Sequence, residues 1–198
     1  MFQRRLDESS NTSNLGKRSA LVKQIYRERI TSKMTGPSIK TYADLYKLPA
    51  EFKKYREEDF LLSEQQTKKN EAIHIYGSSS GLKILQDCSI WAADGTHKKC
   101  PNPFVQIYVV GGVLEGHFLP SIYCLLPDHS TDSYSYVFKF IQSIVKKKPV
   151  QVIINNSLEA FNGNFNQCQP GPQTIYTALE GFKREVEFTT IQEKKTEG

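Results

Sequence analysis

The residue with the clearest chemical potential in this sequence is Asp94, which follows the apolar run 90–93 and precedes Gly95. A carboxylate at the mouth of a buried strand offers a divalent cation the hard oxygen that it prefers, with room for water in the rest of its shell. Asp-Gly is also a common turn pair, so a turn without any metal explains the same residues. The residues around Asp94 therefore leave a metal ligand and a plain turn both open.

Three motifs in a fixed order surround this carboxylate. The first reads W-A-A-D-G-T over residues 91–96, the second F-V-Q-I-Y over 104–108 and the third Y-C-L-L-P over 123–127. Together they resemble the integrase-like domain of Mutator-like element (MULE) transposases, whose strands carry W-x-x-D-G-T, F-x-Q-L/I-Y and Y-x-L-L-P patterns. The likeness is clearest between residues 91 and 126 and extends more faintly to residues 48 and 160.

The resemblance implies a ribonuclease-H-like fold with Asp94 at the position of the first catalytic carboxylate. Such enzymes cleave and join DNA strands with two divalent ions, Mg²⁺ or Mn²⁺, one activating the attacking oxygen and the other stabilising the leaving oxygen. In the family, the second acid follows the buried strand after a long helix, in a T-D-F-E pattern. Here that place reads I-I-N-N-S-L-E over 153–159, so laying strand on strand puts Asn156 where the aspartate should be.

Asn156 offers a neutral carbonyl oxygen in place of a charged one, so two cations there would lose much of their electrostatic compensation. Glu159 lies three residues further on and one residue out of register, and only a slipped alignment would recruit it. Nothing between residues 174 and 198 resembles the region that carries the family's third acid. With only the first acidic residue evident, enzymatic activity stays open.

We therefore expect a truncated and degenerate transposase-derived domain, without catalysis, that at most binds nucleic acid. The alternative is an active metal-dependent nuclease fragment that uses Asp94 as metal ligand, with Glu159 or residues beyond this chain. A third interpretation is a protein-interaction module built on the amphipathic segment near residues 21–26. Mg²⁺ or Mn²⁺ is the expected cofactor if the site is active, and no cofactor is expected otherwise.

Composition is that of a globular protein: the 198 residues are 38% hydrophobic and 24% charged. No apolar stretch approaches the about 18 residues that a membrane span needs. The beginning of the chain lacks the apolar run of a secretory signal. We expect an intracellular, nuclear protein that has DNA as its partner and no membrane contact, and self-association stays open.

Charge and cysteine content add two weaker expectations. Basic residues outnumber acidic ones within residues 1–31, where an amphipathic helix is predicted over 18–30; phosphate binding and a solvated helix face explain this excess equally well. The cysteines show no paired Cys-x-x-Cys zinc pattern, and we expect reduced thiols. They are Cys88, Cys100, Cys124 and Cys168.

Hydrophobic periodicity predicts a mixed α/β (α+β) fold. Its centre is a three-strand antiparallel meander over 90–93, 104–111 and 117–126, then a long helix capped by Ser130 and a buried parallel strand over 150–154. Ahead of the meander we predict a short helix after Thr41, a hairpin of 60–62 with 72–76, and a helix capped by Ser78. After it we predict a helix over 174–182 and a strand over 185–191.

These elements suggest four regions. Residues 1–40 form a disordered or helical basic arm, and residues 41–88 form a helix-and-hairpin region. Residues 89–166 form the partial ribonuclease-H-like core, and residues 167–198 form an irregular tail.

The remaining candidate side chains have ordinary explanations. Asp128 and Asp132 reach Asp94 only if the third meander strand runs beside it, and helix capping already explains Asp132. His97 and His129 are expected on the surface, because no two histidines share metal-binding spacing on one element.

Two further features fit the predicted elements without any ligand. His74 alternates with apolar neighbours and is predicted to face solvent. The lysine run 146–148 suits the end of the long helix, where positive charge complements the helix dipole.

Overall fold

The structure, a computed structural model, describes residues 36–96, 100–154 and 174–196, with side chains as far as Thr190. The chain divides into two units, residues 1–35 and 36–198. The amphipathic helix predicted over 18–30 lies outside the described residues, so the basic arm stays a prediction. All the elements described belong to the second unit.

The unit combines strands and helices in a mixed α/β arrangement. The strands are β1 (Lys54–Tyr55), β2 (Glu58–Asp59), β3 (Leu61–Gln66), β4 (Ala72–Gly77), β5 (Ile90–Thr96), β6 (Gln106–Leu114), β7 (His117–Leu126) and β8 (Gln151–Ile154). The helices are α1 (Ser79–Asp87), α2 (Thr131–Val145) and α3 (Ile175–Thr196), preceded by the 3₁₀ helices Tyr42–Lys47 and Ala50–Lys53. Among the described helices, none has both the length and the hydropathy of a membrane span.

A six-stranded sheet in the order β3–β4–β7–β6–β5–β8 organises the unit, and β1 and β2 form a separate two-stranded ribbon. Neighbouring strands are antiparallel except β8, which runs parallel to β5. The predicted meander, hairpin, long helix and final parallel strand are confirmed. The hairpin predicted within 41–88 joins the meander's sheet, because β4 pairs with β7.

Helix starts follow the predicted capping chemistry. The hydroxyl oxygen of Ser78 accepts a hydrogen bond from the Gly81 amide at 3.1 Å, and that of Ser130 accepts one from the Ser133 amide at 3.2 Å. Each bond satisfies an amide that the first turn of a helix leaves without a partner. At the first 3₁₀ helix, the carboxylate of Asp44 accepts a hydrogen bond from the Thr41 amide at 3.0 Å.

Proline 120 shows how an interior strand tolerates a residue without an amide hydrogen. A proline inside a strand predicts an edge position or a bulge. Its strand, β7, lies between β4 and β6, so the edge position is wrong and the bulge is confirmed. The register shifts between Val110 and Gly111, and Gly111 comes opposite Pro120. A side chain at Gly111 would overlap the Leu119 carbonyl, which explains a glycine inside β6.

One face of the sheet is covered by α1 and α2. From α2, Val137 and Ile141 are fully buried against Trp91 and Ala93 of β5 and Tyr108 of β6. Their burial confirms the predicted apolar stripe of this helix. The helix ends at Val145, and Lys146 after it takes a left-handed conformation with φ of 54°.

The opposite face is covered by α3, where two predictions were wrong. Residues 174–196 do not form an irregular tail, and residues 185–191 are helical instead of extended. The alternation of Val186 and Phe188 with glutamates favours a strand when read alone. However, Val186 continues a stripe of buried residues at helical spacing, which also contains Ile175, Leu179 and Phe182. Burial of this stripe against the sheet favours a helix through residues 185–191.

Coverage of both faces also explains the error at His74, which is fully buried instead of solvent-facing. Its ring lies 5.3 Å from that of Phe104, and its Nδ1 lies 2.9 Å from the hydroxyl of Tyr76. Strand alternation predicts solvent only where one face of a sheet is open.

Strand β8 is more exposed than predicted, whereas His74 is more buried. Its apolar composition indicates a buried strand, but all four of its residues are exposed, and Ile154 keeps 68% of its surface. Within the described part of the chain β8 pairs only with β5, so it lies at the edge of the sheet.

Candidate functional site

A cavity of about 690 Å³ opens at the carboxyl end of β5. Asp94 and Gly95 border it from β5, Gln106 and Tyr108 come from β6, and Ile154 from the end of β8. The facing wall is formed by side chains of α2, with His129 just ahead of the helix; those of α2 are Thr131, Tyr134, Ser135, Phe138, Lys139 and Gln142. The volume and the mixture of aromatic and polar groups fall within the usual range of ligand sites.

Asp94 is buried at the edge of this cavity, with 3% of its surface exposed. Its Oδ1 accepts a hydrogen bond from the amide of Gly95 at 2.8 Å. Strand alternation assigns its side chain to the face opposite Ala93 and Tyr108, which pack with α2. Asp94 therefore borders the cavity at the strand, while the residues of β6 and α2 fill its walls.

Gly95 of β5 and Gln106 of the neighbouring strand β6 lie in close contact. A Cβ at Gly95 would overlap Nε2 of Gln106, which passes directly over the glycine. The glycine of the first motif thus makes room for the glutamine of the second. The sequence motifs mark both residues, but their contact follows only from the register that pairs Gly95 with Tyr108.

Gln106 is the centre of the hydrogen bonds in the cavity, and it is only 3% exposed. Its Oε1 accepts a hydrogen bond from the Tyr134 hydroxyl at 2.8 Å and lies 3.0 Å from Nδ1 of His129. An amide oxygen only accepts, so Nδ1 of His129 carries the hydrogen of that bond. Sequence reasoning placed His129 on the surface, which is confirmed, but it did not connect the residue with Gln106.

The aromatic part of the cavity is neutral at ordinary pH. Burial, together with the nearby Cys124, Tyr134 and Asp94, raises the pKa of the Tyr108 phenol. The Tyr108 ring lies 5.0 Å from that of Tyr134 and 6.4 Å from that of Phe138. Tyr108 therefore acts as an apolar wall of the cavity, whose lining also includes the side chains of Asp94, His129 and Lys139.

The described residues do not fit a pair of divalent cations. Asp94 is the one carboxylate among the described residues that border the cavity. Across the described ranges, no group of three or more histidine, cysteine, aspartate or glutamate side chains could hold a metal ion. Two Mg²⁺ or Mn²⁺ ions need several shared carboxylates to balance their charge.

Asp128 and Asp132 do not supply the missing charge. Strand β6 lies between β7 and β5, so the condition under which they would reach Asp94 is not met. Oδ1 of Asp128 accepts hydrogen bonds from the hydroxyls of Ser133 at 2.7 Å and Ser130 at 2.8 Å. Burial opposes ionisation there, but the bonds from Ser133 and Ser130 hold the pKa of Asp128 below its ordinary value. Asp128 therefore holds Ser130, the N-cap residue of α2, in place.

Asn156, Glu159 and His97 lie outside the described residues, so the roles given to Asn156 and Glu159 stay predictions. The nearest described residue to the first two is Ile154, which borders the cavity. Ile154 stands opposite Ala93, the residue before Asp94.

Comparison with known proteins adds no relative. No protein-family model, no curated protein and no solved structure matches the chain. The family resemblance therefore rests on the three motifs within residues 91–127.

Proposed function

We propose that this chain is a domain derived from a Mutator-like element transposase, with a ribonuclease-H-like core that binds nucleic acid without cutting it. The observation that carries the proposal is the position of Asp94. It stands at the carboxyl end of β5, the first strand of the antiparallel meander, and beside the parallel strand β8 that follows α2. This order of elements is the one that the resemblance implies.

The position of β8 supports the alignment from which Asn156 was identified. In the family the second acid follows the strand after the long helix. Here that strand pairs with β5 and ends opposite Ala93, so the chain leaves β8 next to Asp94. The last described residue of β8 therefore stands beside the strand that carries the first acid, as the alignment requires.

The charges of the described site favour binding over cleavage. One carboxylate cannot balance two divalent cations, and Asn156 would add a neutral oxygen. Lys139 brings a positive charge to the same cavity, and it makes no ion pair within the described part of the chain. An ammonium group beside a cavity favours a phosphate-bearing ligand.

The first test measures DNA binding and DNA nicking by the whole chain. We expect binding that weakens steeply as salt rises, because contacts to phosphate release counterions. Supercoiled DNA should stay intact with Mg²⁺ or Mn²⁺. Nicking that is lost in Asp94→Ala would establish the active enzyme instead. Absence of binding at low salt would overturn the proposal and leave the protein-interaction interpretation.

A second test asks whether Asn156 occupies the position of the lost acid. Asn156→Asp should bind Mn²⁺ at least ~10-fold more tightly than the wild type, since a second carboxylate joins Asp94. The matched control is Asn155→Asp, which adds the same charge one residue away. Equal gains in both variants, or a gain that persists when Asp94→Ala is added, would contradict the alignment.

A further inference from the structure

The three lysines that follow α2 have different surroundings, although they are consecutive in sequence. Residues 146–148 all lie beyond the last turn of the helix, which contains no basic residue. Nζ of Lys147 donates hydrogen bonds to the carbonyl oxygens of Gln86 at 2.5 Å and Asp87 at 3.3 Å. These are the last two residues of α1, where helical carbonyls lack partners. Lys147 therefore has a structural role at the end of a neighbouring helix.

Helix ends do not account for the other two lysines in the same way. Lys146 and Lys148 are exposed and make no ion pair within the described part of the chain. The backbone of Lys146 is left-handed, with φ of 54°, a conformation that glycine adopts without steric cost and lysine does not. Glycine is the usual residue at such a place after a helix. The chain thus carries a charged side chain where a glycine would strain the backbone less.

Lys146 lies on the same side of α2 as Lys139. The two residues are seven apart, which is two helical turns, and the amide of Lys146 still donates to the Gln142 carbonyl at 2.9 Å. This side faces away from the sheet, because the buried stripe of the helix packs on the sheet. Ser135 and Gln142 share it by the same spacing, and with Lys139 they border the cavity. A polar, basic row therefore runs from the cavity to the end of α2.

We propose that Lys139, Lys146 and Lys148, named the lysine track, bind the phosphates of a DNA backbone that passes along the exposed side of α2. This proposal rests on the nucleic-acid binding proposed above and names the surface that carries it. Lys139 and Lys146 are about 10 Å apart along the helix axis, and a duplex with one charge per about 1.7 Å offers both of them phosphates. Ammonium groups bind phosphate as point charges and do not read bases.

The salt dependence of DNA binding by the whole chain tests the track. The probe is a duplex of about 20 base pairs, for which each phosphate contact contributes about 0.9 to the slope of log affinity against log salt. Lys139→Gln, Lys146→Gln and Lys148→Gln should each reduce the slope by about 0.9, and the triple variant should reduce it about three times as much. The reductions should be the same on a second duplex of unrelated sequence.

The matched control is Lys68→Gln, which removes the same charge from an exposed lysine in the turn between β3 and β4. This turn adjoins the β3 edge of the sheet, whereas the lysine track leads towards β8 at the other edge. The slope should therefore stay at the wild-type value. A reduction in this control as large as in the track variants would mean that net charge, and not contact, governs binding, and would overturn the proposal.

Lys146 allows a test in which stability and binding change in opposite directions. Lys146→Gly should raise the melting temperature, because glycine takes the left-handed conformation without steric cost. The same variant should reduce the salt slope as much as Lys146→Gln does. Lys146→Arg keeps the charge and should keep the wild-type slope. If the lysine served only to end the helix, the glycine variant would bind DNA like the wild type, and that result would overturn its place in the track.

The outcomes separate this proposal from the one on which it rests. Wild-type DNA binding with an unchanged slope in all three glutamine variants would overturn the lysine track and leave nucleic-acid binding intact. Failure of the wild type to bind any DNA would remove the proposed function and the track together. Tighter binding to phosphatidylserine vesicles than to DNA, lost in the same variants, would assign the track to a membrane surface and overturn the proposal as well.

Discussion

The two faces of the sheet are covered by helices of similar kind, yet they differ at the carboxyl end of β5. Under α3, large aromatic side chains pack on each other: Phe182 stacks on Tyr123 with ring centres 4.8 Å apart, and both are fully buried. Under α2, Val137 and Ile141 are likewise fully buried in a cluster with side chains from the middle of the sheet. Towards the end of β5, however, the same helix stands over the cavity.

The difference follows from a few residues. Gly95 has no side chain, and the space above it is taken by the amide of Gln106, which is polar and bonded to Tyr134 and His129. On the α3 face the aromatic rings of Phe182, Tyr123 and Tyr76 are fully buried instead. The α3 face therefore contributes mainly burial and stability, while the α2 face gives up part of its packing to a polar opening. Substitutions on the two faces should separate stability from binding.

The largest expected effect is on the α3 face. Phe182→Ala removes a fully buried ring that contacts both Tyr123 and Tyr76, and should lower the free energy of unfolding by about 3–5 kcal/mol. Urea denaturation followed by circular dichroism measures the loss. The control on the same helix is Phe188→Ala, whose ring is 54% exposed and should cost no more than ~0.5 kcal/mol. Equal losses in the two variants would mean that α3 does not cover the sheet through Phe182.

The next effect is on the cavity face. Gly95→Ala forces a methyl group into the amide of Gln106 and should cost about 1–3 kcal/mol of unfolding free energy, the usual range for overpacking. Combining it with Gln106→Ala should recover part of that cost, because the obstructing side chain is gone. A double-mutant cycle by urea denaturation gives the coupling. Strictly additive costs would show that the two residues do not touch.

Local pattern was enough to predict most elements and the first site residue. Spacing and capping chemistry within a single segment are enough to predict the meander, the Ser78 and Ser130 caps and the apolar stripe of α2. The W-A-A-D-G-T motif likewise located Asp94 close to the end of its strand, but β5 continues through Gly95 to Thr96, where a turn was the alternative interpretation. These features need no knowledge of distant residues.

The errors and omissions depend on contacts between distant parts of the chain. His74 is buried because other elements cover its face, which its own alternation does not record. The helix α3 extends through residues 185–191 because its stripe packs on the sheet. The bond between His129 and Gln106 requires the β6 strand and the start of α2 to meet, and no local motif encodes it.

The smallest expected effect is at the β3 edge of the sheet, where the buried His74 contacts Glu64. Nε2 of His74 lies 3.5 Å from Oε1 of Glu64, and Nζ of Lys53 lies 3.5 Å from Oε2 of the same carboxylate. The interaction with His74, against the opposing effect of burial, lowers the pKa of Glu64 to about 2. Because the pKa is lowered in the folded state, ionised Glu64 stabilises the protein above its ordinary pKa of about 4.3, and that contribution is lost as pH falls towards about 2.

Glu64→Gln should therefore lower the free energy of unfolding at about pH 6, and the difference from the wild type should shrink below about pH 4. Its size should stay under about 1 kcal/mol, because the Glu64 side chain is 44% exposed and water screens the pair. Urea denaturation across this pH range measures it, with the exposed Glu57→Gln as the matched control. A difference that does not change with pH would mean that the Glu64 charge is not what stabilises this edge, and that the long contact to His74 acts through packing alone.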